Sequence, residues 1–367
     1  MIEHLGNNMK IGINSRIYQH SGTGIPNYIE GLYKTLSVLD KKNKYIFFQT
    51  KKTKTLGKTK IIPMPNGYLG AFFFDSFLIN SLIKKEKIDI FHGPSNSLPF
   101  IKYKKTKYII TIHDLTFLVY PQYYPAFFRY YYKFVIGRAL KSANAILAVS
   151  VNTKKDILRY YNCDEKKVHV VYSGINPVYF AKKTEKRLIK DKYFFSITTH
   201  PKRKNINSII SIISRNKQLL QYKYVIAGII QDDQVKQLRI LIDKLNLQKN
   251  VLIYGYATEK ELLSLYQNAE FFIYPSYYEG YGFPVLEAMA AKCPVIASNN
   301  SSLNELVARK DLLVNPYDQN DILTKMIYAL TMPQIKKKEL IKENYERAKT
   351  FTWEKTAQQF IQICENL

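Results

Sequence analysis

Three cysteines in 367 residues, Cys163, Cys293 and Cys364, are too few and too scattered to staple a fold. None has Cys-x-x-Cys or metal-ligand spacing, which excludes a zinc module and a disulfide framework. Long apolar runs are also missing. The best candidate, residues 71–83, is interrupted by Asp75 and falls short of the roughly 18–20 apolar residues of a membrane span. The first eight residues hold Glu3, His4 and two asparagines where a signal peptide needs an apolar core, so none is expected. The expected location is the cytoplasm, soluble or peripheral on the inner face of the cytoplasmic membrane. Acidic residues are scarce: 29 Asp and Glu stand against 55 Lys and Arg, a net charge of +26. The shortage is uneven. Residues 1–190 carry 32 basic against 11 acidic side chains, and residues 191–367 carry 23 against 18. A single-sign field of that size favours an anionic partner, or else reflects lysine-rich compositional drift, which alone does not explain why the two halves differ.

What is present is a rhythm. The length suits two domains of roughly 150–200 residues. Short apolar runs, expected as strands at 10–14, 45–49, 88–92, 108–112, 145–149 and 168–172, alternate with amphipathic stretches such as 27–39 and 127–141. The pattern restarts after a polar run at 181–192, with runs at 193–197, 222–227, 251–254, 271–274 and 295–297 and a helical stretch at 259–268. Near-continuous apolar strands alternating with helices predict parallel sheets covered on both faces. The expected fold class is α/β, with two Rossmann-like doubly wound domains facing across a cleft. Residues 1–185 form the first domain, 186–350 the second, and 351–367 a terminal helix. Sheets of this type bind ligands beyond the carboxyl ends of their strands.

The chemistry gathers at such ends. In 274–291 a strand stops at Pro275, a glycine-containing loop follows, and a helix begins near Pro284, where proline suits the first turn. Gly280 and Gly282 allow close backbone approach. The amides of Phe283, Val285 and Leu286 are expected to point at an anion at the helix N-terminus. Glu279, in the loop, lies nearer a transferred group, and Glu287, in the first helical turn, is placed to accept hydrogen bonds from a ribose diol. After the strand 193–197, the run His200-Pro201-Lys202-Arg203-Lys204-Asn205 sets three cations where they can hold a diphosphate and stabilise it as a leaving group. Glu279 and Lys204, both read as loop residues, are expected to tolerate replacement without loss of fold. His113 follows the strand 108–112 and should project into the cleft, with Asp114 orienting its loop. Gly22 and Gly24, between the first strand and first helix, let that loop close over a bound diphosphate. Thr352 is a candidate N-cap before the sole tryptophan, Trp353.

Together these segments resemble the retaining GT-B glycosyltransferases of family 4 (group 1), over almost the whole chain. Residues 279–287 resemble that family's E-x7-E motif, and 293–298 and 300–305 are similar to the segments that follow it. Residues 201–205 resemble its P-R-K-N segment, which implies that Lys204 binds the donor diphosphate. The family commonly has Gly at the place of Thr198 and often Arg at that of Thr199, so the second cation's task passes to Arg203. His113-Asp114-Leu115 resembles an H-D-L segment, implying that His113 contacts the donor sugar. Residues 21–28 resemble the glycine-rich first loop, with Pro26 and Asn27 departing from it. The resemblance implies that residues 1–185 are the acceptor-side domain, that 186–350 bind the nucleotide sugar, and that the terminal helix braces the first domain.

The resemblance implies transfer of a hexose, with retention, from a nucleoside-diphosphate sugar to a glycan or lipid-linked acceptor in bacterial surface polysaccharide or lipopolysaccharide synthesis. GDP-mannose is the expected donor. No cofactor or metal is expected, because no Asp-x-Asp motif is present and Lys and Arg supply the charge. The basic half keeps open a rival class, a non-enzymatic protein binding nucleic acid or an anionic surface, although no RNP, zinc or helix-turn-helix signature accompanies it. A GT-B epimerase is the alternative among enzymes. The segment 120–141, where aromatic and basic residues mix, suits either a membrane headgroup interface or a core helix with a solvated basic face.

Overall fold

Strands that are apolar on both faces need helices on both sides, and the computed structural model has that layering. It describes residues 8–19, 24–51, 56–61, 70, 77–182 and 187–367. Among them the chain forms two sheets, in which every strand pair is parallel. The first contains β1 (Lys10–Asn14), β2 (Lys44–Gln49), β3 (Lys58–Ile61), β4 (Ile90–Gly93), β5 (Lys107–Ile112), β6 (Ala145–Ala148) and β7 (Val168–Val170), in the order β3-β2-β1-β4-β5-β6-β7. The second contains β8 (Tyr193–Ile197), β9 (Lys223–Ala227), β10 (Val251–Gly255), β11 (Phe272–Tyr274), β12 (Val295–Ser298) and β13 (Leu313–Val314), in the order β10-β9-β8-β11-β12-β13. Each order runs one way and then reverses, at β1/β4 and at β8/β11. Such reversals open a crevice at the strand carboxyl ends.

β3 and β13 were not expected from the apolar pattern. β3 reads Lys-Thr-Lys-Ile and is a partly exposed edge strand, where charge discourages pairing with another chain. β13 is two residues long.

The chain divides into two compact units, Met1–Gly174 with Phe351–Leu367, and Ile175–Thr350. The division lies upstream of the polar run 181–192, because the residues just before that run already pack in the second unit. Tyr179 meets Tyr266 edge-on at 5.9 Å, and Phe180 meets Tyr345 at 5.7 Å.

The terminal helix Trp353–Glu365 packs against the helix Gly24–Leu39 within the first unit. Thr352 caps it, accepting the Lys355 amide at 3.2 Å. The contact needs glycine opposite the indole: a Cβ on Gly31 would lie 2.0 Å from the Trp353 ring, and one on Gly174 would lie 2.2 Å from the Trp353 backbone nitrogen. Phe360, farther along, packs on His92 and Tyr33. Trp353→Ala should therefore destabilise the first unit by about 3–5 kcal/mol, the range for emptying a large aromatic site. Urea unfolding followed by circular dichroism reads this, and an unchanged midpoint would remove Trp353 from the core.

Candidate functional site

At the β8/β11 reversal two loops meet. After β8 the chain runs through Thr198 to Asn205, whose left-handed backbone (φ 60°) turns it into the helix Ile206–Ser214. Thr198 is buried and its hydroxyl accepts the His200 amide at 3.0 Å, so the threonine that departs from the family's glycine holds the turn. After β11 the chain runs from Pro275 to Gly282. The Tyr277 amide donates to the Arg203 carbonyl at 3.1 Å, and the Tyr277 hydroxyl donates to Asn205 Oδ1 at 2.8 Å.

Inside this junction lies a charge cluster. Lys204 is 5 % exposed and Glu279 7 % exposed. Lys204 Nζ is bonded to Glu279 Oε1 and to the Tyr274 hydroxyl, and it sits 4.6 Å from the Tyr274 ring centroid. Arg203 Nη1 donates to the Tyr278 carbonyl at 3.0 Å and lies 3.5 Å from Glu279 Oε2. The Ser276 hydroxyl donates to Glu279 Oε1 at 2.5 Å. Burial pushes the Glu279 carboxyl up, but the Lys204 and Arg203 charges and the Lys204 and Ser276 hydrogen bonds outweigh it and hold it below the ordinary carboxylate range. The carboxylate is thus ionised and acts as counter-ion to both cations.

A third loop, after β12, clamps the same residue. Ser301 Oγ accepts the Glu279 amide at 3.1 Å, and Ser302 Oγ donates to the Glu279 carbonyl at 3.0 Å. Ser298 Oγ donates to the Ser276 carbonyl at 2.7 Å, and Asn300 Nδ2 to the Tyr277 carbonyl at 2.8 Å. Tyr274, Ser276 and the serines of this loop were not singled out as site residues. Hydroxyls beside a charged motif were the available signal.

Three expectations are corrected here. Glu279 and Lys204 lie on loops, but they are buried and mutually paired, so removing either side chain strands a charge. The helix after the loop is Phe283–Ala290, with Pro284 in its first turn as expected, but the Val285 and Leu286 amides are already taken. Both donate to the Gly282 carbonyl, at 3.0 and 3.4 Å. Gly282 is glycine because its φ is 119° and because a Cβ would lie 2.6 Å from Leu303 Cδ2. Finally, Glu287 sits beyond the first helical turn, which holds no acidic residue. It is buried and accepts the Tyr266 hydroxyl at 3.0 Å. Burial raises its pKa to about 7; the Tyr266 bond lowers it less than burial raises it, and Glu259 adds to the rise.

His113 belongs to the other unit. Gly22 lies outside the described residues, and Gly24, itself exposed, opens the first helix. His113 follows β5, half-buried. Its backbone amide donates to Asn96 Oδ1 at 2.9 Å, and Nε2 donates to the Pro94 carbonyl at 2.8 Å, which leaves Nδ1 as the ring's acceptor. Burial pushes its pKa down, so the imidazole is neutral near pH 7. Its ring meets Tyr28 edge-on at 5.0 Å. The Tyr28 hydroxyl bonds Thr111 at 3.0 Å, Thr111 bonds His92 Nε2 at 2.7 Å, and His92 Nδ1 bonds the Tyr33 hydroxyl. Burial holds His92 down at about 3, so this chain stays uncharged. Asp114 Oδ1 accepts the Thr116 amide at 3.0 Å, the loop-orienting task expected of it.

Residues 48–179 match the family described as Glycosyltransferase Family 4, and residues 180–347 match Glycosyl transferases group 1. The O-antigen chain mannosyltransferase RfbU of Salmonella typhimurium is 33 % identical over 215 residues, 57 % of this chain and 57 % of that protein. The O-antigen chain mannosyltransferase B of Escherichia coli is 27 % identical over 284 residues, 74 % of this chain and 73 % of that protein. Among solved structures, sucrose-phosphate synthase from Thermosynechococcus elongatus superposes with a TM-score of 0.79 at 20 % identity, covering 98 % of this chain and 99 % of that one. The fold is the two-domain α/β GT-B fold. The chain belongs to the family 4, group 1 glycosyltransferases. The alignment to RfbU spans little more than half of that relative's length.

Two measurements check the site's energetics. Lys204→Ala should cost about 3–5 kcal/mol of stability by leaving Glu279 under-paired in the interior, whereas Lys202→Ala, on the exposed part of the same loop, should cost little. Equal, small effects would place the Lys204 pair in solvent. The second concerns Glu287. Folding raises its pKa, so the stability tied to its proton is full below about pH 4.5 and is lost as pH rises to about 7, a swing of about 3 kcal/mol. The stability difference between the wild type and Glu287→Gln should therefore change by that order across this window. A difference that stays flat means the carboxyl titrates normally.

Proposed function

We propose that this protein transfers a hexose, with retention, from a nucleoside-diphosphate sugar to a glycan or lipid-linked acceptor in surface polysaccharide synthesis. The observation that carries the reading is the buried Glu279–Lys204–Arg203 cluster at the reversal of the second sheet. A carboxylate already ionised and shared by two cations is arranged for a second anion. A donor diphosphate beside Lys204 and Arg203 takes over part of their charge, and Glu279, less engaged, turns its negative charge toward the sugar. As the bond from C1 to the diphosphate lengthens, negative charge grows on the leaving oxygen, where Lys204 and Arg203 stabilise it, and positive charge grows on the ring, where Glu279 does. The acceptor hydroxyl attacks the same face of C1, and a departing phosphate oxygen takes its proton.

Glu287, with Tyr266 fixing one of its oxygens, is assigned to the ribose diol. For His113 we propose the contact to the donor sugar, supported by a ring held neutral and fixed by the Pro94 carbonyl. Gly22 and Gly24 keep the loop role implied by the resemblance, and the Phe283 to Leu286 stretch contributes its dipole end. The relatives named as mannosyltransferases support mannose as the transferred hexose, and GDP-mannose is the donor proposed. We further propose that transfer needs no metal, because Lys204 and Arg203 supply the positive charge beside the leaving diphosphate.

Purified protein with GDP-mannose and a lipid-linked or short glycan acceptor should form product, and Glu279→Gln should lower turnover at least about 100-fold, the scale for losing one electrostatic stabiliser. Near-normal turnover by the variant removes the site assignment. Transfer should persist in excess EDTA. Loss on chelation with recovery on added magnesium or manganese would show that the two cations do not suffice.

A further inference from the structure

The helix Ala126–Ser142 is apolar on two opposite faces. One stripe, Phe128, Tyr132, Ile136, Ala139 and Leu140, faces the core of the first unit. The other carries Phe127, Tyr130 and Phe134, which are 83 %, 72 % and 62 % exposed. Spacings of three and four residues align these three rings in one row. A helix that needed only to cover the core would put charge there.

The row continues off the helix. Phe134 lies 6.2 Å from Phe100, over whose ring Arg138 sits at 4.1 Å, and exposed Ile101 is the next residue. Cations border this apolar strip. Lys133 and Lys141 are exposed on the helix, and Lys104 and Lys105 are exposed just beyond Ile101. Among the described residues no helix is long and apolar enough to cross a membrane.

We propose that this face docks on the surface of an anionic lipid bilayer, with Phe127, Tyr130, Phe134 and Ile101 entering the headgroup and acyl boundary. The surrounding lysines lie at the level of the lipid phosphates. The combination fits no other occupant as well. A second copy of this chain would bring a like-charged surface against the same lysines, because residues 1–190 carry 32 basic and 11 acidic side chains. An acidic soluble protein would pair with the lysines but gives no reason for a row of bare rings. A bilayer interface takes both: amphipathic rings settle at headgroup depth, and each basic residue is drawn to anionic lipid. The use made of the surface, presenting the site to a lipid-linked acceptor, rests on the function proposed above. The docking itself does not.

The test needs neither donor nor acceptor. Full-length protein is sedimented with phosphatidylcholine vesicles containing increasing phosphatidylglycerol. Bound protein should rise with the anionic fraction and fall as salt screens the attraction. The triple variant Phe127→Ser, Tyr130→Ser, Phe134→Ser should bind at least about tenfold more weakly. It should keep the wild-type melting temperature, since the three rings are exposed. If the triple variant fails to fold, Lys133→Glu with Lys141→Glu replaces it; the rings remain, and dependence on phosphatidylglycerol should drop. Binding that ignores lipid charge, or no binding, overturns the proposal. So does a wild-type dimer that the triple variant converts to monomer, which would assign the face to a second copy. Transfer to a short water-soluble glycan separates the two readings. If vesicle binding fails while soluble transfer survives, docking alone is lost, and if binding holds while transfer fails, the proposed activity is lost.

Discussion

A lysine and a glutamate, buried together where two strand-end loops cross, organise the second unit's crevice. Neither ion is stable there alone, since an unpaired charge out of water costs several kcal/mol. Each therefore fixes the loop that bears the other. Lys204 ties the turn after β8 to the loop after β11, and Arg203 repeats the tie through the Tyr278 carbonyl. The serines after β12 hold the Glu279 backbone from the third side. Loops from the three neighbouring strands β8, β11 and β12 thus converge on a single residue. The depressed pKa of its carboxylate comes from Lys204 and Arg203 across the junction and from Ser276 in its own loop.

The first unit solves a similar problem without ions. His113 is fixed by a carbonyl and an asparagine side chain from the loop after β4, and beneath it runs an uncharged relay of hydroxyls and one neutral histidine. Each member finds a partner, so the polar chain can remain buried among aromatic rings without stranding a donor. The terminal helix supplies part of that apolar cover through Phe360 and Trp353.

Apolar runs marked β1 and β8 to the residue, because burial on both faces leaves a composition that little else produces, and the helical pattern marked Glu259–Asn268. β3, lysine-rich at an edge, and β13, two residues long, carry no such mark. The motif around Glu279 was legible as chemistry through its glycines, proline and paired carboxylates. Its internal pairing was not: Lys204 and Glu279 are 75 residues apart, and nothing local in either loop says that they bury one another. The same holds for Glu287, whose pKa is raised by burial that the Tyr266 hydrogen bond only partly offsets. Gly282 was legible as a special position for a different reason than the true one, since left-handed backbone and a tight contact both select glycine, as close ligand approach also does. For the helix Ala126–Ser142, composition mixed aromatic and basic residues, but only the fold sorts which rings point inward.

The return of residues 351–367 to the first unit has a consequence for how the chain is made. During synthesis the residues up to Gly174 emerge before the second unit, yet the groove beside Gly31 is shaped around the Trp353 indole and Gly174 around the backbone at Trp353, both added only after that unit. The second unit, by contrast, is assembled from one uninterrupted stretch. The order of completion is therefore the reverse of the order of appearance: the N-terminal sheet waits, with the apolar side of its first helix uncovered, until translation has passed through the entire second unit. Until then that surface is open to chaperones and to the wrong partners alike.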